Sequence, residues 1–278
     1  MKILFIGGNS HIAKSILAEN LFNEIFIISR NKIKITKFCY SNKVSTKITF
    51  LDFKSFKNEK FDLIVNFASP GYPDDINSSK KNIIKFTKDI NSRVIKYLLL
   101  NKKTKYIFIS SGIVNKIITK KDKQYFYYKS KLNIEKNNLS QKGLRIYNLR
   151  IYSYISKFID LNKNFFLSLI INSIKKNKKI KIYNNDFTRD FIGPKEVISF
   201  IKYILKNNLK KCSIDISSNK FVTKKDLLKF FEKNYYLKYD LIKTISNNDL
   251  YTPVSKKKFL INKTSLNIIK REIKNILN

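Results

Sequence analysis

Ile3-Leu4-Phe5-Ile6-Gly7-Gly8-Asn9-Ser10-His11-Ile12-Ala13 opens the chain with an apolar run, two glycines and a segment of helical spacing. A short apolar run that passes through glycine into a helix reads as a buried strand followed by the helix that covers it. The start of such a helix offers unpaired N–H groups and partial positive charge, so a pyrophosphate is well held there. Read as G-x-x-G-x-x-[GA], Gly7 takes the first place and Ala13 the third, while Ser10 stands where a second glycine would keep the backbone approach open. The turn predicts dinucleotide binding through Gly7, Asn9, Ser10, His11 and Ile12; a merely structural strand-turn-helix is the alternative.

Further apolar runs follow at Ile25–Ile28, Ile48–Leu51, Leu63–Val65, Tyr106–Ile109 and Leu144–Tyr147. They read as strands buried on both faces. Helical spacing lies between them, at His11 to Leu21, Asn82 to Asn101 and Tyr125 to Asn138, and this alternation implies a parallel α/β sheet. After Arg150 the rhythm changes, with helices near Phe165 to Ile174, Pro194 to Asn207 and Lys224 to Asn234, and a strand at Ile180 to Tyr183. A dinucleotide-binding domain over 1–150 and a substrate-binding lobe over 151–278 are therefore expected. Ser213–Ile216 reads as a strand returning to the first sheet, and the lysine-rich tail from Ser255 ends in an amphipathic helix.

Composition narrows the function classes. The chain has 278 residues and a formal charge of +37, which ordinarily points to nucleic acid or an anionic membrane. Yet lysine outnumbers arginine 51 to 6, with 32 Asn, 44 Ile and 3 Ala, the pattern of AT-rich coding across a whole gene. The cations are spread along the chain, and arginine, the better bidentate ligand for phosphate and bases, is scarce. No specific nucleic-acid partner is expected. Cys39 and Cys212 stand far apart without metal-ligand spacing, so neither a disulfide framework nor a metal site is expected and a reducing cytoplasm fits. The single histidine, His11, lies in the opening turn, which argues against a Ser-His-Asp triad. No apolar run reaches the roughly 18 residues of a spanning helix, so no membrane partner is expected.

Two clusters carry chemistry. At the end of the second strand, where a site selecting NAD places a carboxylate for the ribose hydroxyls, stand Ser29-Arg30-Asn31. Arg30 can pair with a 2′-phosphate, which favours NADP over NAD; a surface arginine at a strand end is the alternative. Tyr127-Tyr128-Lys129-Ser130-Lys131 places a phenol and an ammonium four residues apart, neighbours on one helix face. A nearby cation lets a tyrosine exchange protons near neutrality, though in a chain this rich in Tyr and Lys a solvated helix face yields the same pattern.

Taken in order, Gly7-Gly8, Leu51-Asp52-Phe53, Val65-Asn66-Phe67-Ala68, Asn91, Ser110-Ser111-Gly112-Ile113-Val114, Tyr127/Lys131, Asn148-Leu149-Arg150 and Arg189-Asp190-Phe191-Ile192 resemble the extended short-chain dehydrogenase/reductases, the nucleotide-sugar epimerases, dehydratases and reductases. The resemblance covers nearly the whole chain. It implies a Rossmann-type doubly wound parallel sheet with a smaller C-terminal substrate-binding lobe, an NAD(P) cofactor, a nucleotide-sugar substrate, and a homodimer through the helices near 82–101 and 125–138. It implies further that Asp52 and Phe53 lie against the adenine, that Ala68 and Ser69 line the path to the nicotinamide, and that Ser111 holds the substrate oxygen. Tyr127 would be the acid/base, and Lys131 would anchor the nicotinamide ribose and lower the tyrosine pKa. Arg150 is counted with the substrate-binding groups, and Arg189 either meets the diphosphate or forms an interlobe salt bridge. No Asp-Glu pair follows Ser111, which disfavours dehydration, and the Ser111-to-Tyr127 stretch is short. The expected activity is NADPH-dependent reduction of a 4-keto-6-deoxyhexose nucleotide, or epimerisation; the other reading is a non-catalytic dinucleotide sensor or scaffold.

Overall fold

The computed structural model describes residues 1–69, 80–122, 124–163, 165–243, 249–255 and 257–277. The apolar runs of the first half become β1 (Ile3–Ile6), β2 (Glu24–Ile28), β3 (Lys47–Leu51), β4 (Leu63–Asn66), β5 (Lys105–Ser111) and β6 (Arg145–Ile151). Among them lie α1 (His11–Leu17), α2 (Lys32–Ser41), α3 (Lys80–Leu100) and α4 (Tyr125–Ser140). Then come β7 (Ser153–Tyr154), α5 (Phe166–Lys175), β8 (Ile180–Tyr183), β9 (Phe187–Arg189), β10 (Phe191–Ile192), α6 (Pro194–Lys206) and β11 (Cys212–Lys220). The chain closes with β12 (Val222–Thr223), α7 (Lys224–Tyr235), β13 (Tyr239–Ile242), β14 (Asp249–Tyr251), β15 (Lys258–Thr264) and α8 (Ser265–Leu277).

The large sheet runs β15-β11-β6-β5-β4-β1-β2-β3. From β3 to β11 every neighbouring pair is parallel. The order 3-2-1-4-5-6 is that of the Rossmann-type doubly wound sheet, and its direction of winding reverses between β1 and β4, where a crevice opens outside the carboxyl ends of the strands. As expected from its sequence, the segment containing Ser213–Ile216 returns to this sheet: Cys212 to Asp215 pair with Tyr147 to Arg150.

Alternation along the strands builds two apolar layers. Leu4, Ile6, Phe26, Ile28, Ile64, Tyr106, Phe108 and Ile146 form one core with Ile90, Val94 and Leu98 of α3 and Ile134 of α4. Residues of the opposite parity, Ile3, Phe5, Ile25, Ile27, Leu63, Val65, Ile107 and Leu149, are equally buried, as a sheet covered on both faces requires. Helices α1 and α6 pack together, with Ala13, Ile16, Val197, Ile201 and Ile204 buried.

Four local expectations change. Helix α1 stops at Leu17, because Ala18 caps it and Asn20 turns to positive φ (51°), leaving Leu21 exposed. Helix α2 escaped the sequence reading since only Ile35 of it is buried, so no apolar stripe marks it; Asn31 starts it by accepting the Lys34 N–H at 2.9 Å. Strand β3 is the sheet edge and only partly buried, rather than covered on both faces. The lysine-rich tail holds a strand, β15, before its helix.

Two compact units divide the chain: Met1–Ile151 with Pro194–Ile216 and Val254–Phe259, and Tyr152–Gly193 with Ser217–Pro253 and Leu260–Asn278. The boundary is thus not one cut near residue 150; α6 and the first part of β11 belong with the sheet. In the second unit, β9 lies between β12 (antiparallel) and β14 (parallel), and β7/β10 and β8/β13 form parallel pairs.

Gly8 sets a limit on the opening turn. A Cβ there would lie 2.6 Å from Ile27 Cγ2 and 2.9 Å from Ile35 Cδ1, inside the contact of β2 with α2. Gly8→Ala is expected to lower stability by about 1–3 kcal/mol, the usual cost of overpacking, seen as a lower urea midpoint with unchanged slope; an unaltered midpoint would show that both isoleucines have room to move.

Candidate active site

Six parallel strands deliver the predicted groups to one edge of the sheet: Gly7 follows β1, Arg30 β2, Asp52 β3 and Ala68 β4, while Ser111 ends β5 and Arg150 lies near the end of β6. Gly7 adopts φ +84°, and an added Cβ would meet Ala68 N at 2.7 Å and Ala68 Cα at 2.9 Å. The turn therefore rests directly on the backbone that leaves β4, and only glycine fits. Its N–H donates to the Ile28 carbonyl at 2.9 Å.

Ser10 has a different role from the one its place in the glycine pattern implied. It is the N-cap of α1, with extended backbone (φ −65°, ψ 152°), and its Oγ accepts the Ala13 N–H at 3.1 Å. No glycine is needed at that conformation, and the hydroxyl satisfies one donor of the first turn. Asn9 ties the turn to the end of β2, its amide donating to Ser29 Oγ at 2.9 Å and to the Asn31 carbonyl at 2.7 Å. Its Oδ1 is buried without a hydrogen-bond partner, an acceptor left over for a donor that the chain itself does not supply. His11 and Ile12 stand partly buried in the first turn of α1.

Arg30 is exposed, with its guanidinium 5.2 Å from the centre of the Phe86 ring. Asp52 is also exposed, but its Oδ1 accepts the N–H groups of Lys54 and Ser55, both at 2.7 Å, and the Ser55 hydroxyl at 3.0 Å. These bonds, the Ser55 N–H first, hold the carboxyl below the ordinary aspartate range. Asp52 thereby ties down the loop that leads into the 3-10 turn at Ser55–Asn58. Phe53 sets its ring edge-on to Phe56 and beneath Arg93.

Ser111, Tyr127 and Lys131 come together at the end of β5. The Ser111 side chain is hydrogen-bonded to the Tyr127 phenol and accepts the Ile113 N–H at 3.3 Å, which starts the short turn after the strand. Lys131 is buried, donates to the Ile109 carbonyl at 2.9 Å and to the Ser69 hydroxyl, and lies 5.7 Å from the centre of the Tyr127 ring. Burial lowers its pKa to about 7, against the partial support of Glu135. Burial also raises the pKa of Tyr127, and the Ser111 bond only offsets this. Lys131, whose ammonium faces the ring and donates to a carbonyl and a hydroxyl, is not among the groups that shift the phenol in this arrangement.

Arg150, expected among the substrate-binding groups, is paired with buried side chains. Its Nε donates to both Glu135 oxygens at 3.0 Å, one terminal nitrogen reaches Glu135 Oε2 at 2.6 Å, and the other reaches Asn115 Oδ1 at 3.1 Å and Asp215 Oδ1 at 3.6 Å. Glu135 thus occupies one side of the guanidinium, and Asn115 with the more distant Asp215 faces the other terminal nitrogen. Glu135, 2 % exposed, also accepts Ser110 Oγ at 2.6 Å and Ser213 Oγ at 3.0 Å.

From Glu135 a file of buried side chains runs under the sheet edge. Ala68 N–H donates to Asn66 Oδ1 (2.9 Å), Asn66 to Tyr106 (2.9 Å), Tyr106 to Asn91 (2.9 Å), Asn91 to Asn138 (3.0 Å), Asn138 to Asn148 (2.8 Å), Asn148 to Ser213 (3.0 Å), and Ser213 to Glu135. Every donor points the same way and the file ends on a carboxylate, the arrangement in which successive bonds polarise one another. Of these residues the sequence reading named Asn66, Asn91 and Asn148 without a role and missed Tyr106, Glu135, Asn138 and Ser213. One signal was present: Tyr127, Lys131 and Glu135 recur every fourth residue, on one face of α4.

In the second unit, Arg189 ends β9 with its guanidinium 4.9 Å from the Phe187 ring centre and 5.8 Å from that of Tyr251. The adjacent Asp190 is fully buried and accepts the Ser218 N–H, Ser218 Oγ at 2.5 Å and Ser265 Oγ at 2.9 Å. Burial raises its pKa and the Ser218 and Ser265 hydroxyls draw it back. Among the described residues no group of three potential His, Cys, Asp or Glu metal ligands occurs, and no helix is long and apolar enough to cross a membrane.

Solved structures with this fold include UDP-glucose 4-epimerase of Thermotoga maritima with UDP-glucose (13% identity, all of both chains, TM-score 0.73) and UDP-glucuronic acid 4-epimerase of Bacillus cereus with UDP-glucuronic acid and NAD (15%, 100% and 99%, TM-score 0.75). ADP-L-glycero-D-manno-heptose-6-epimerase of Helicobacter pylori is similar too (14%, 99% and 96%, TM-score 0.73). At these identities the likeness is one of fold. A curated sequence, the DNA-directed RNA polymerase subunit beta' of Oedogonium cardiacum, is 28% identical over 248 residues, and the chain spans 11% of its length. That alignment covers a small part of a far longer protein and comes from a chain dominated by Lys, Ile and Asn, so it carries no argument about activity. The model of the NAD dependent epimerase/dehydratase family matches residues 5–216, from the first strand through the turn, the Ser111–Tyr127–Lys131 group and β11. The chain belongs to the NAD dependent epimerase/dehydratase family.

Proposed function

We propose that this protein is an NAD(P)-dependent oxidoreductase or epimerase of a nucleotide-activated sugar, with NADPH-dependent reduction of a 4-keto-6-deoxyhexose nucleotide as its leading reaction. The observation that carries the reading is the joint placement of the Ser111 hydroxyl, the Tyr127 phenol and the Lys131 ammonium at the end of β5. The residues present fit a dinucleotide: the Gly7 turn excludes side-chain bulk against Ala68, and Asn9 leaves a buried acceptor unused. Gly7, Asn9, Ser10, His11, Ile12, Arg30, Asp52, Phe53, Ala68 and Lys131 would hold it, Lys131 at the nicotinamide ribose. When bound, the nicotinamide supplies or accepts a hydride at its C4.

The chain's own contribution is proton transfer and orientation. Ser111 hydrogen-bonds the sugar oxygen at the reacting carbon and keeps it in line with the phenol. Tyr127 passes its proton to that oxygen as the carbonyl becomes a carbinol, and in the reverse direction takes it back. Arg30, exposed at the end of β2 with no carboxylate beside it in sequence, supports NADPH as the cofactor. The nucleotide-sugar class follows the family and neighbours crystallised with UDP-sugars. Arg189 is the candidate for the substrate diphosphate, while one side of Arg150 is occupied by Glu135.

Tyr127→Phe is expected to leave NADPH affinity unchanged and to cut turnover of a 4-keto-6-deoxyhexose nucleotide at least about 100-fold, the usual loss for a general acid; an active Phe variant would reject the assignment. Arg30→Asp is expected to reverse the preference toward NADH in direct binding, and undiminished NADPH affinity in that variant would remove the case for the phosphorylated cofactor.

A further inference from the structure

Helix α4 carries both Tyr127 and Lys131, and each has only one or two contacts with the rest of the chain's polar groups. Tyr127 is linked to Ser111 by one hydrogen bond, and Lys131 meets a carbonyl and a hydroxyl. One turn beyond Lys131, on the same face, Glu135 makes contacts that reach three strands: Ser110 of β5, Arg150 of β6 and Ser213 of β11. Ser110 immediately precedes Ser111, the partner of the phenol. Asn138, one further turn along, adds Asn148 of β6 and Asn91 of α3.

We propose that Glu135 is a positioning residue for the catalytic pair: its buried carboxylate fastens α4 to the carboxyl-terminal parts of β5 and β6 and to the start of β11, and so fixes where along β5 the phenol and the ammonium stand. The inference rests on the reading of Tyr127 and Lys131 given above. Rotation or sliding of α4 would break the contacts of Glu135 with Ser110, Arg150 and Ser213 and that of Asn138 with Asn148 together, and would leave the buried carboxylate without its cation, so these contacts favour one setting of the helix. The pair inherits that setting. A displacement of the order of 1 Å in such a group costs about 100-fold in rate.

The charge of Glu135 has a second effect. The titratable and charged groups facing Lys131 are Glu135 and Tyr127 on its own helix, with Arg150 and Asp215 behind Glu135; β5 presents the Ile109 carbonyl and the Phe108 ring, and the turn after β4 presents the Ser69 hydroxyl. Glu135 thus offsets part of the desolvation of the Lys131 ammonium.

The test compares Glu135→Gln and the double variant Glu135→Gln/Arg150→Met with the full-length wild type. The double variant removes both members of the Glu135–Arg150 pair, so that no lone guanidinium is left, and Asp215, which loses its 3.6 Å contact with Arg150, keeps the Ser255 N–H on its other oxygen. Lysine Cε resonances followed by 13C NMR through a pH titration, with the Lys131 signal identified by its absence in Lys131→Met, report the ammonium without cofactor or substrate. The proposal expects the double variant to fold with a single cooperative melting transition, a Lys131 midpoint at least about one pH unit lower, and kcat reduced about 100-fold. A folded double variant with unchanged Lys131 midpoint and unchanged kcat would overturn it. An active Tyr127→Phe enzyme would instead defeat the assignment of the acid/base, and the NMR midpoints would still decide whether Glu135 controls Lys131.

Discussion

A buried carboxylate is the constraint from which the active edge follows. Removing Glu135 from water costs several kcal/mol unless its lone pairs are filled, and here they are filled by Ser110, Ser213 and the fork of Arg150. Those partners reside on β5, β11 and β6, and the acid on α4, so no subset of the four elements satisfies it. The same acid therefore selects one register of helix on sheet, and the apolar layer of Ile134, Tyr106, Phe108 and Ile146 closes around that register. Hydrophobic contact alone would tolerate small slides of α4; the ionic cluster does not.

The file from Ala68 through Asn66, Tyr106, Asn91, Asn138, Asn148 and Ser213 extends this logic beneath the sheet edge. In a low-dielectric interior each unpaired amide would cost about 1–3 kcal/mol, and the file leaves neither end unmatched, since it begins at a backbone N–H and ends at a carboxylate. Lysines are used in a comparable way. Lys105 donates to the carbonyls of Ile204, Leu205 and Asn207 at 2.7, 2.8 and 3.0 Å, closing the C-terminal end of α6 where a cation is favoured. Lys224 does the same for Tyr183 and Asn185. An excess of Asn and Lys that arose from coding bias is thus partly turned inward, where backbone and amide acceptors accommodate it.

Much of this was legible from the sequence. Apolar runs located the six strands of the first half, five of them because strands buried on both faces need continuous hydrophobicity, and Ser213–Ile216 pairs in the sheet as a shorter, alternating run. Helix α2 and strand β15 were not legible, since a surface helix and an edge strand rich in lysine bury too little to leave a period. At the site, spacing brought Tyr127 to Lys131 and order brought Ser111 to both, but spacing cannot show what a side chain is already bound to. The partners of Arg150 and Lys131 lie far away in sequence, Glu135 15 residues from Arg150 and Ile109 22 from Lys131, whereas Ser10 caps its own helix through the Ala13 N–H three residues on.

The most direct test is a titration of the full chain with NADPH and with NADH at moderate salt, following energy transfer from tyrosine to the nicotinamide. Saturable binding of both with NADPH held more tightly is the predicted result, and Gly7 to Ile12 together with Arg30 account for it. Binding of neither, in a protein folded with the sheet described here, would contradict the account: the turn would then be a structural joint, and Ser111, Tyr127 and Lys131 would have no hydride chemistry to serve.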